Sequence, residues 1–274
     1  MKRIGMFGLS VGLLAMAIAC AVPALAQEAG TDESAELAKK LANPVASLIS
    51  VPLQYNYDAN YGPDDDGAKW LLNIQPVWPF SLGSNWNLIT RTIVPIAGLQ
   101  DVPPGADESG LGDILQSFFF SPKKPVGGWI LAVGPVILYP TASDDMLGGG
   151  KWGVGPTALA LKQSKGWTYG MLCNHLESFA GDDSRADISA TFLQPFVSYV
   201  TKTKTTFGLN TESTYDWKSE QWTVPLNLTV SQLLKVGRMP VQITGGIRYW
   251  ADSPESGPEG LGFRAVVTFL FPKR

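Results

Sequence analysis

The stretch WTVPLNLTVS, residues 222–231, alternates between two kinds of side chain. Its even positions are Trp, Val, Leu, Leu and Val, and its odd positions are Thr, Pro, Asn, Thr and Ser. A period of two residues predicts a β-strand with one apolar face and one polar face. Its length also fits a tilted membrane strand, which needs roughly 9 to 11 residues.

The same alternation recurs along most of the chain, for example in residues 49–57 (ISVPLQYNY) and 239–249 (MPVQITGGIRY). The segments with this period are residues 48–57, 69–79, 86–96, 111–120, 128–139, 151–162, 167–176, 187–200, 205–216, 221–233, 240–251 and 261–271. The pattern therefore predicts an all-β protein, a closed antiparallel transmembrane β-barrel of about 12 strands over residues 48–274, with bulges at its prolines.

The connections between these strands fall into two classes. The odd-to-even connections are long and acidic, as in Asp64-Asp65-Asp66 and Asp144-Asp145, whereas the even-to-odd connections are short and basic, as in Lys123-Lys124. Outer-membrane barrels have short periplasmic turns and longer outer loops, so this sorting by strand parity favours such a barrel. The acidic triplet is expected to be a solvated loop, and bridging to lipopolysaccharide by divalent cations is an alternative.

Aromatic side chains collect at both ends of the predicted outward faces. Tyr57, Trp152 and Trp222 lie toward the long loops, and Trp129 and Trp167 lie toward the short turns. Two aromatic belts around an aliphatic band are typical of the lipid-facing surface of a barrel. The alternative is a large soluble periplasmic β-protein, in which apolar residues would fill the interior. About eight strands already give an interior that side chains just fill, so a twelve-strand interior is expected to be too wide for such filling.

The N-terminus carries an export signal. Lys2 and Arg3 precede an apolar run, and Ala24-Leu25-Ala26 forms a cleavage site, which predicts a signal peptide over residues 1–26. An uncleaved anchor and a lipoprotein signal ending at Cys20 are the alternatives. Residues 27–47 are expected to form a periplasmic segment, with a short helix over residues 32–42 that could plug the barrel. The predicted location is the outer membrane of a Gram-negative cell.

Composition excludes several classes of function. Only 16% of the 274 residues are charged, 45% are hydrophobic and the net charge is −3, so no nucleic-acid partner is expected. A single histidine argues against a histidine-based metal site. No cofactor and no metal are expected.

Several short motifs point to a known family. They are Gly110-Leu111-Gly112-Asp113, Pro140-Thr141-Ala142-Ser143, Gln194-Pro195-Phe196, Trp222-Thr223-Val224-Pro225 and Phe269-Leu270-Phe271-Pro272-Lys273. With these motifs, residues 43 to 274 resemble the outer-membrane transporter family named after the meta-cleavage pathway of phenol degradation. The resemblance implies passage of aromatic or other small hydrophobic compounds and supplies no catalytic motif.

No enzyme is expected. Gly8-Leu9-Ser10-Val11-Gly12 matches a nucleophile elbow but lies in the predicted signal peptide. Cys173, His175 and Glu177 share one strand face at the lipid rim, where a structural role is expected. The enzymatic alternative is a hydrolase that uses His175 with a serine.

Function is expected to lie in the barrel interior. The candidate lumen and solute-binding residues are Arg91, Arg248, Arg264, Glu212 and Asp113. Centring the last hairpin on Ser256 places Arg248 and Arg264 directly opposite each other, where like charges repel unless a carboxylate or an anionic solute lies between them. Glu212 or Asp113 could neutralise them in a structural network, or both arginines could attract an anionic solute.

These patterns predict an outer-membrane channel for passive uptake of small molecules, aromatic or anionic. The alternative is a structural or adhesive barrel without a conducting pore. The expected partners are outer-membrane lipid, lipopolysaccharide and a small-molecule solute.

Overall fold

A computed structural model describes residues 31–62, 65–237 and 239–271, with the backbone alone for residues 31–35. One helix, α1, spans Thr31–Leu41. The strand segments are β1 Ile49–Tyr61, β2 Gly67–Ile74, β3 Val77–Leu82, β4 Trp86–Gln100, β5 Glu108–Leu111, β6 Ile114–Pro122, β7 Ile130–Tyr139, β8 Lys151–Ser164, β9 Trp167–Gly181, β10 Ser189–Val200, β11 Thr205–Thr211, β12 Ser213–Asp216, β13 Gln221–Val236, β14 Met239–Asp252 and β15 Gly260–Phe271. The predicted signal peptide, residues 1–26, lies outside the described residues, and none of those described forms a helix long and apolar enough to cross a membrane.

The strands close into one antiparallel barrel. Once interrupted strands are counted as one, each strand pairs with the strands before and after it in the chain, and β1 pairs with β2 on one edge and with β15 on the other. β2 with β3, β5 with β6 and β11 with β12 are three strands that are each interrupted once, so the fifteen segments form twelve strands. The predicted fold class is confirmed.

Side-chain direction follows the predicted alternation. On β13, Leu226, Leu228 and Val230 are 42%, 51% and 46% exposed, whereas Asn227 is fully buried. Large exposed aromatic residues stand near both ends of the barrel, among them Trp86 and Trp167 beside the short turns and Trp217 and Tyr249 beside the long loops. The outward surface is therefore apolar with an aromatic belt at each end, as expected of a lipid-facing wall.

The prolines interrupt the ladder at some of the expected places. Pro76 lies in the break between β2 and β3, and the register shifts between Val224 and Pro225 on β13. Pro52, in contrast, lies in an unbroken register opposite Thr268, and its carbonyl accepts a hydrogen bond from the Gln75 amide. A strand proline thus interrupts pairing at some positions and is tolerated at others.

Part of the interior is apolar, which the sequence analysis did not anticipate. At the short-turn end of β3, β4 and β6–β9, inward side chains pack together with Val45; they are Val77, Ile89, Phe119, Ala132, Leu159, Leu161 and Leu172. The expectation that a twelve-strand interior is too wide to be filled by apolar side chains is wrong for this side of the barrel. An interior of this width is filled here because the N-terminal segment supplies further apolar side chains, including Val45.

The N-terminal segment lies inside the short-turn end of the barrel. Ala38, Ala46 and Leu48 form a buried cluster with Leu233 and Leu270, which are inward residues of β13 and β15. The amide of Gln163 also donates to the carbonyl of Lys39 at 2.8 Å. Helix α1 and the following residues therefore pack against the inner wall at this end of the barrel.

Candidate solute site in the barrel interior

The last hairpin sets where two interior arginines lie. Arg248 on β14 pairs with Gly262 on β15, and Arg264 pairs with Gly246. The prediction that the arginines face each other directly is wrong, because the hairpin is centred one residue earlier than Ser256 and partners therefore shift by two residues. Each guanidinium instead faces a glycine, which leaves room for a carboxylate from another strand.

Arg248 forms an ion pair with a residue that sequence analysis placed in a loop. Its Nη1 donates to Oδ2 of Asp58 at 3.0 Å, and the indole Nε1 of Trp250 donates to Oδ1 at 3.0 Å. Both charged side chains are buried, at 7% and 6% exposure. Asp58 is an inward residue of β1, two positions after Asn56. Residues two apart share one face of a strand, so this spacing could have predicted the inward position of Asp58 from the sequence.

Arg264 forms the second buried ion pair. Its Nη1 and Nη2 donate to the two carboxylate oxygens of Glu212 at 2.8 and 2.7 Å, and its Nε donates to Oδ1 of Asn56 at 2.7 Å. A bidentate contact holds both planar groups in a fixed orientation. Glu212 is the predicted neutralising partner for Arg264, and it lies in the interruption between β11 and β12.

Arg91 has a neutral partner instead. Its Nη2 donates to Oε1 of Gln75 at 2.7 Å, and no ion pair to a carboxylate is found for it within the part of the chain that the structure describes. Arg91 and Lys40 line a cavity of about 150 Å³ beside the N-terminal segment. This is the anion cavity, defined by Arg91, Gln75 and Lys40.

Asp113 lies apart from the arginines. Its carboxylate accepts from the backbone amides of Ala142 at 3.1 Å and Gly149 at 2.6 Å. It therefore holds residues 140–150, the loop between β7 and β8, against the end of the barrel wall. The expected role as a neutraliser of Arg248 belongs to Asp58, because closure of the sheet brings β1 beside β15.

Another loop contact at this end is ionic. Nζ of Lys151 lies 3.2 Å from Oδ1 of Asp187 in the loop between β9 and β10. The hydrogen bond from this ammonium group, with its positive charge, lowers the pKa of the Asp187 carboxyl. Arg185 of the same loop donates to the carbonyl of Asp145 at 2.7 Å, so the loop between β9 and β10 is linked to the loop between β7 and β8.

Cys173, His175 and Glu177 face outward, as predicted. Nδ1 of His175 lies 2.9 Å from Oγ1 of Thr191, and Nε2 lies 3.4 Å from Oε2 of Glu177. Thr191 also accepts from Nε1 of Trp217 at 2.8 Å. The hydrolase alternative requires a serine beside His175, whereas pairing across β9 and β10 brings Thr191 opposite it. No metal-binding group of three His, Cys, Asp or Glu side chains occurs among the described residues.

Several solved structures have similar folds. An outer membrane channel from Pseudomonas putida F1 superposes with a TM-score of 0.64 and 14% identity, over 82% of this chain and 96% of that chain. The fold is that of outer-membrane β-barrels. The NanC porin superposes with a TM-score of 0.50 and 9% identity, over 82% of this chain and all of the porin, 100%. No protein-family model and no curated protein matches the sequence.

Proposed function

We propose that this protein is a channel of the Gram-negative outer membrane that passively admits small molecules. Residues 1–26 act as the export signal, and residues 27–47 lie on the periplasmic side. The apolar outward wall with aromatic belts supports insertion among outer-membrane lipids. The long loops, including Asp65 and Asp66, face lipopolysaccharide. Asp64 of that triplet lies outside the described residues.

The charge balance in the barrel interior supports a preference for anionic solutes. Three guanidinium groups, those of Arg91, Arg248 and Arg264, share two carboxylates, Asp58 and Glu212. The charge of Arg91 is left over, and Lys40 adds another beside it in the anion cavity. A surplus of positive charge in a poorly solvated passage attracts anions and repels cations.

Reversal potentials in a planar lipid bilayer test this preference. In a gradient of potassium benzoate, the wild-type channel is expected to favour the anion, and Arg91→Gln is expected to shift the permeability ratio toward unity. Lys202→Gln, which removes a charge from an exposed short turn, is the matched control and is expected to keep the wild-type ratio. An unchanged ratio in Arg91→Gln contradicts the anion preference.

The solute class implied by the family resemblance is an aromatic compound. An aromatic carboxylate combines a negative group for Arg91 with an apolar ring for the inward residues Val77 and Leu48, which also line the anion cavity. Benzoate is therefore the first solute to measure. Cyclohexane carboxylate, with the same charge and no aromatic ring, separates a need for the ring from a need for the charge.

A barrel without a conducting pore is the second candidate function. It is favoured by the burial of Ala38 and Ala46 inside the short-turn end, where α1 meets the wall. Liposome swelling distinguishes the candidates, because a structural or adhesive barrel admits neither a small sugar nor a small anion.

A further inference from the structure

A second cavity also borders the N-terminal segment and shares Leu41, Pro44 and Gln242 with the anion cavity. It has a volume of about 220 Å³ and is lined by Ala38 and Leu41 of α1 and by residues of β10, β11, β13 and β14. We call it the hydroxyl cavity and define it by Ser198, Thr206 and Asn210, which all line it. It is smaller than the cavities that hold drug-sized ligands, which measure about 300 to 1,000 Å³.

Three polar atoms of this cavity lack partners. Oγ of Ser198, Oγ1 of Thr206 and Oδ1 of Asn210 are buried, and no hydrogen-bond partner for them exists among the residues that the structure describes. Thr206 is only 8% exposed. Buried polar groups in proteins are nearly always hydrogen-bonded, so three unpartnered groups around one cavity point to an occupant.

The backbone pairing explains why these groups converge. Thr206 and Asn210 are inward residues of β11 on either side of Gly208, and Ser198 of β10 pairs with Gly208. A side chain at Gly208 would meet Oγ1 of Thr229, which lies 2.7 Å from the position of an added Cβ, and Thr229 lines the cavity as well. Beyond Asn210, the paired residue Asn227 is fully buried with both of its side-chain polar atoms unpartnered.

The residues that line the cavity also indicate the chemistry of the occupant. None of the described residues around this cavity carries a charged side chain, in contrast to the anion cavity with Arg91 and Lys40. Burying a charge without an opposite charge is strongly unfavourable, so a neutral molecule fits better than an ion. Hydroxyl groups can both donate and accept, and they therefore satisfy Ser198 and Thr206 as well as the acceptor oxygen of Asn210.

We infer that the hydroxyl cavity is a binding site for a small neutral solute with several hydroxyl groups, of the size of a monosaccharide or smaller. Neighbouring hydroxyl groups of one such molecule reach Ser198, Thr206 and Asn210 together, and its carbon skeleton lies against Leu41 and Phe196. This site does not require the proposed channel function, because a non-conducting barrel could also bind the solute.

Saturation-transfer NMR on the full-length mature protein in detergent tests the site, with D-xylose as the probe. Saturable transfer to the sugar is expected in the wild type. Thr206→Val, which keeps the shape and removes the hydroxyl, is expected to weaken binding about three- to tenfold, the value of one lost hydrogen bond. Thr206→Ser is expected to retain it, and Thr203→Val on the exposed turn is the matched control.

The readouts separate this site from the channel. Wild-type affinity in Thr206→Val, or no transfer to xylose at all, would overturn the inference. The second result means that water alone fills the cavity. Ser198→Ala provides a second variant with the same expectation. Because removal of an unpartnered hydroxyl does not break a contact, both variants should unfold at the wild-type urea concentration. Xylose binding in a barrel that carries no current would refute the channel and leave the site in place.

Discussion

Gly262→Ala should break the ion pair between Asp58 and Arg248 although neither of these residues is substituted. Gly262 lies on β15, directly opposite Asp58 of β1 and Arg248 of β14. A methyl group at this position would overlap Oδ1 of Asp58 and lie 2.7 Å from the carbonyl oxygen of Tyr57. The carboxylate must therefore move, and the hydrogen bonds that it accepts from Arg248 and Trp250 are then lost.

The magnitude follows from the burial of both charges. Removing one partner of a buried ion pair costs about 3 to 5 kcal/mol because the other charge is left uncompensated, and separating the two charges leaves both without their partner. Replacing glycine by alanine returns roughly 0.4 to 1 kcal/mol by restricting the unfolded chain. The net loss in the free energy of unfolding is about 2 to 5 kcal/mol, which lowers the ratio of folded to unfolded protein by at least about thirtyfold.

The assay is reversible urea unfolding of the barrel in lipid vesicles, followed by tryptophan fluorescence. Gly245→Ala is the matched control, because Gly245 lies on the outward face of the neighbouring strand and an added methyl group meets nothing within 4 Å. Its stability should be unchanged or raised by up to about 1 kcal/mol. The prediction is contradicted if the free energy of unfolding of Gly262→Ala lies within about 0.5 kcal/mol of the wild-type value, a range typical of harmless substitutions. An equal loss of stability in Gly245→Ala would also contradict it.

Phe119→Ala should cost about 3 to 5 kcal/mol in the same assay, since this buried ring fills the apolar interior; a loss below about 1 kcal/mol would mean that the interior collapses around it. Asp113→Ala should speed amide exchange in residues 140–150, because each freed amide loses about 1 to 3 kcal/mol of pairing, whereas unchanged exchange would show that other contacts hold the loop. Ala38→Asp should raise single-channel conductance by displacing α1, and unaltered conductance would place the plug elsewhere. His175→Ala should leave background ester hydrolysis unchanged, and a tenfold fall would contradict a non-enzymatic barrel.

Much of the fold was predictable because strand periodicity is a local property. The alternation at residues 222–231 predicts which side chains of β13 face lipid, and Leu228 and Asn227 lie on the expected sides. The strand number and the antiparallel closure followed from applying the same two-residue alternation to the rest of the chain. The interior position of Arg91, Arg248 and Arg264 followed from the same parity.

The apolar part of the interior was not predictable in this way. Strand β7, with the sequence ILAVGPVILY, carries apolar residues on both faces, so a period of two does not separate lipid from core. Val136 is fully buried, whereas its near neighbour Val133 is 59% exposed. The two valines differ only in the direction that the closed sheet imposes on them.

The sequence by itself determined the barrel, its two unlike ends and the faces of its clearest strands, because each of these depends on residues that are near one another in the chain. Only the tertiary structure decided which charges meet. Asp58 and Arg248 are 190 positions apart, and they touch because the first and last strands pair and because the last hairpin turns at its particular residue. Moving the centre of that hairpin by one residue would move every partner by two positions, and no local pattern records this choice.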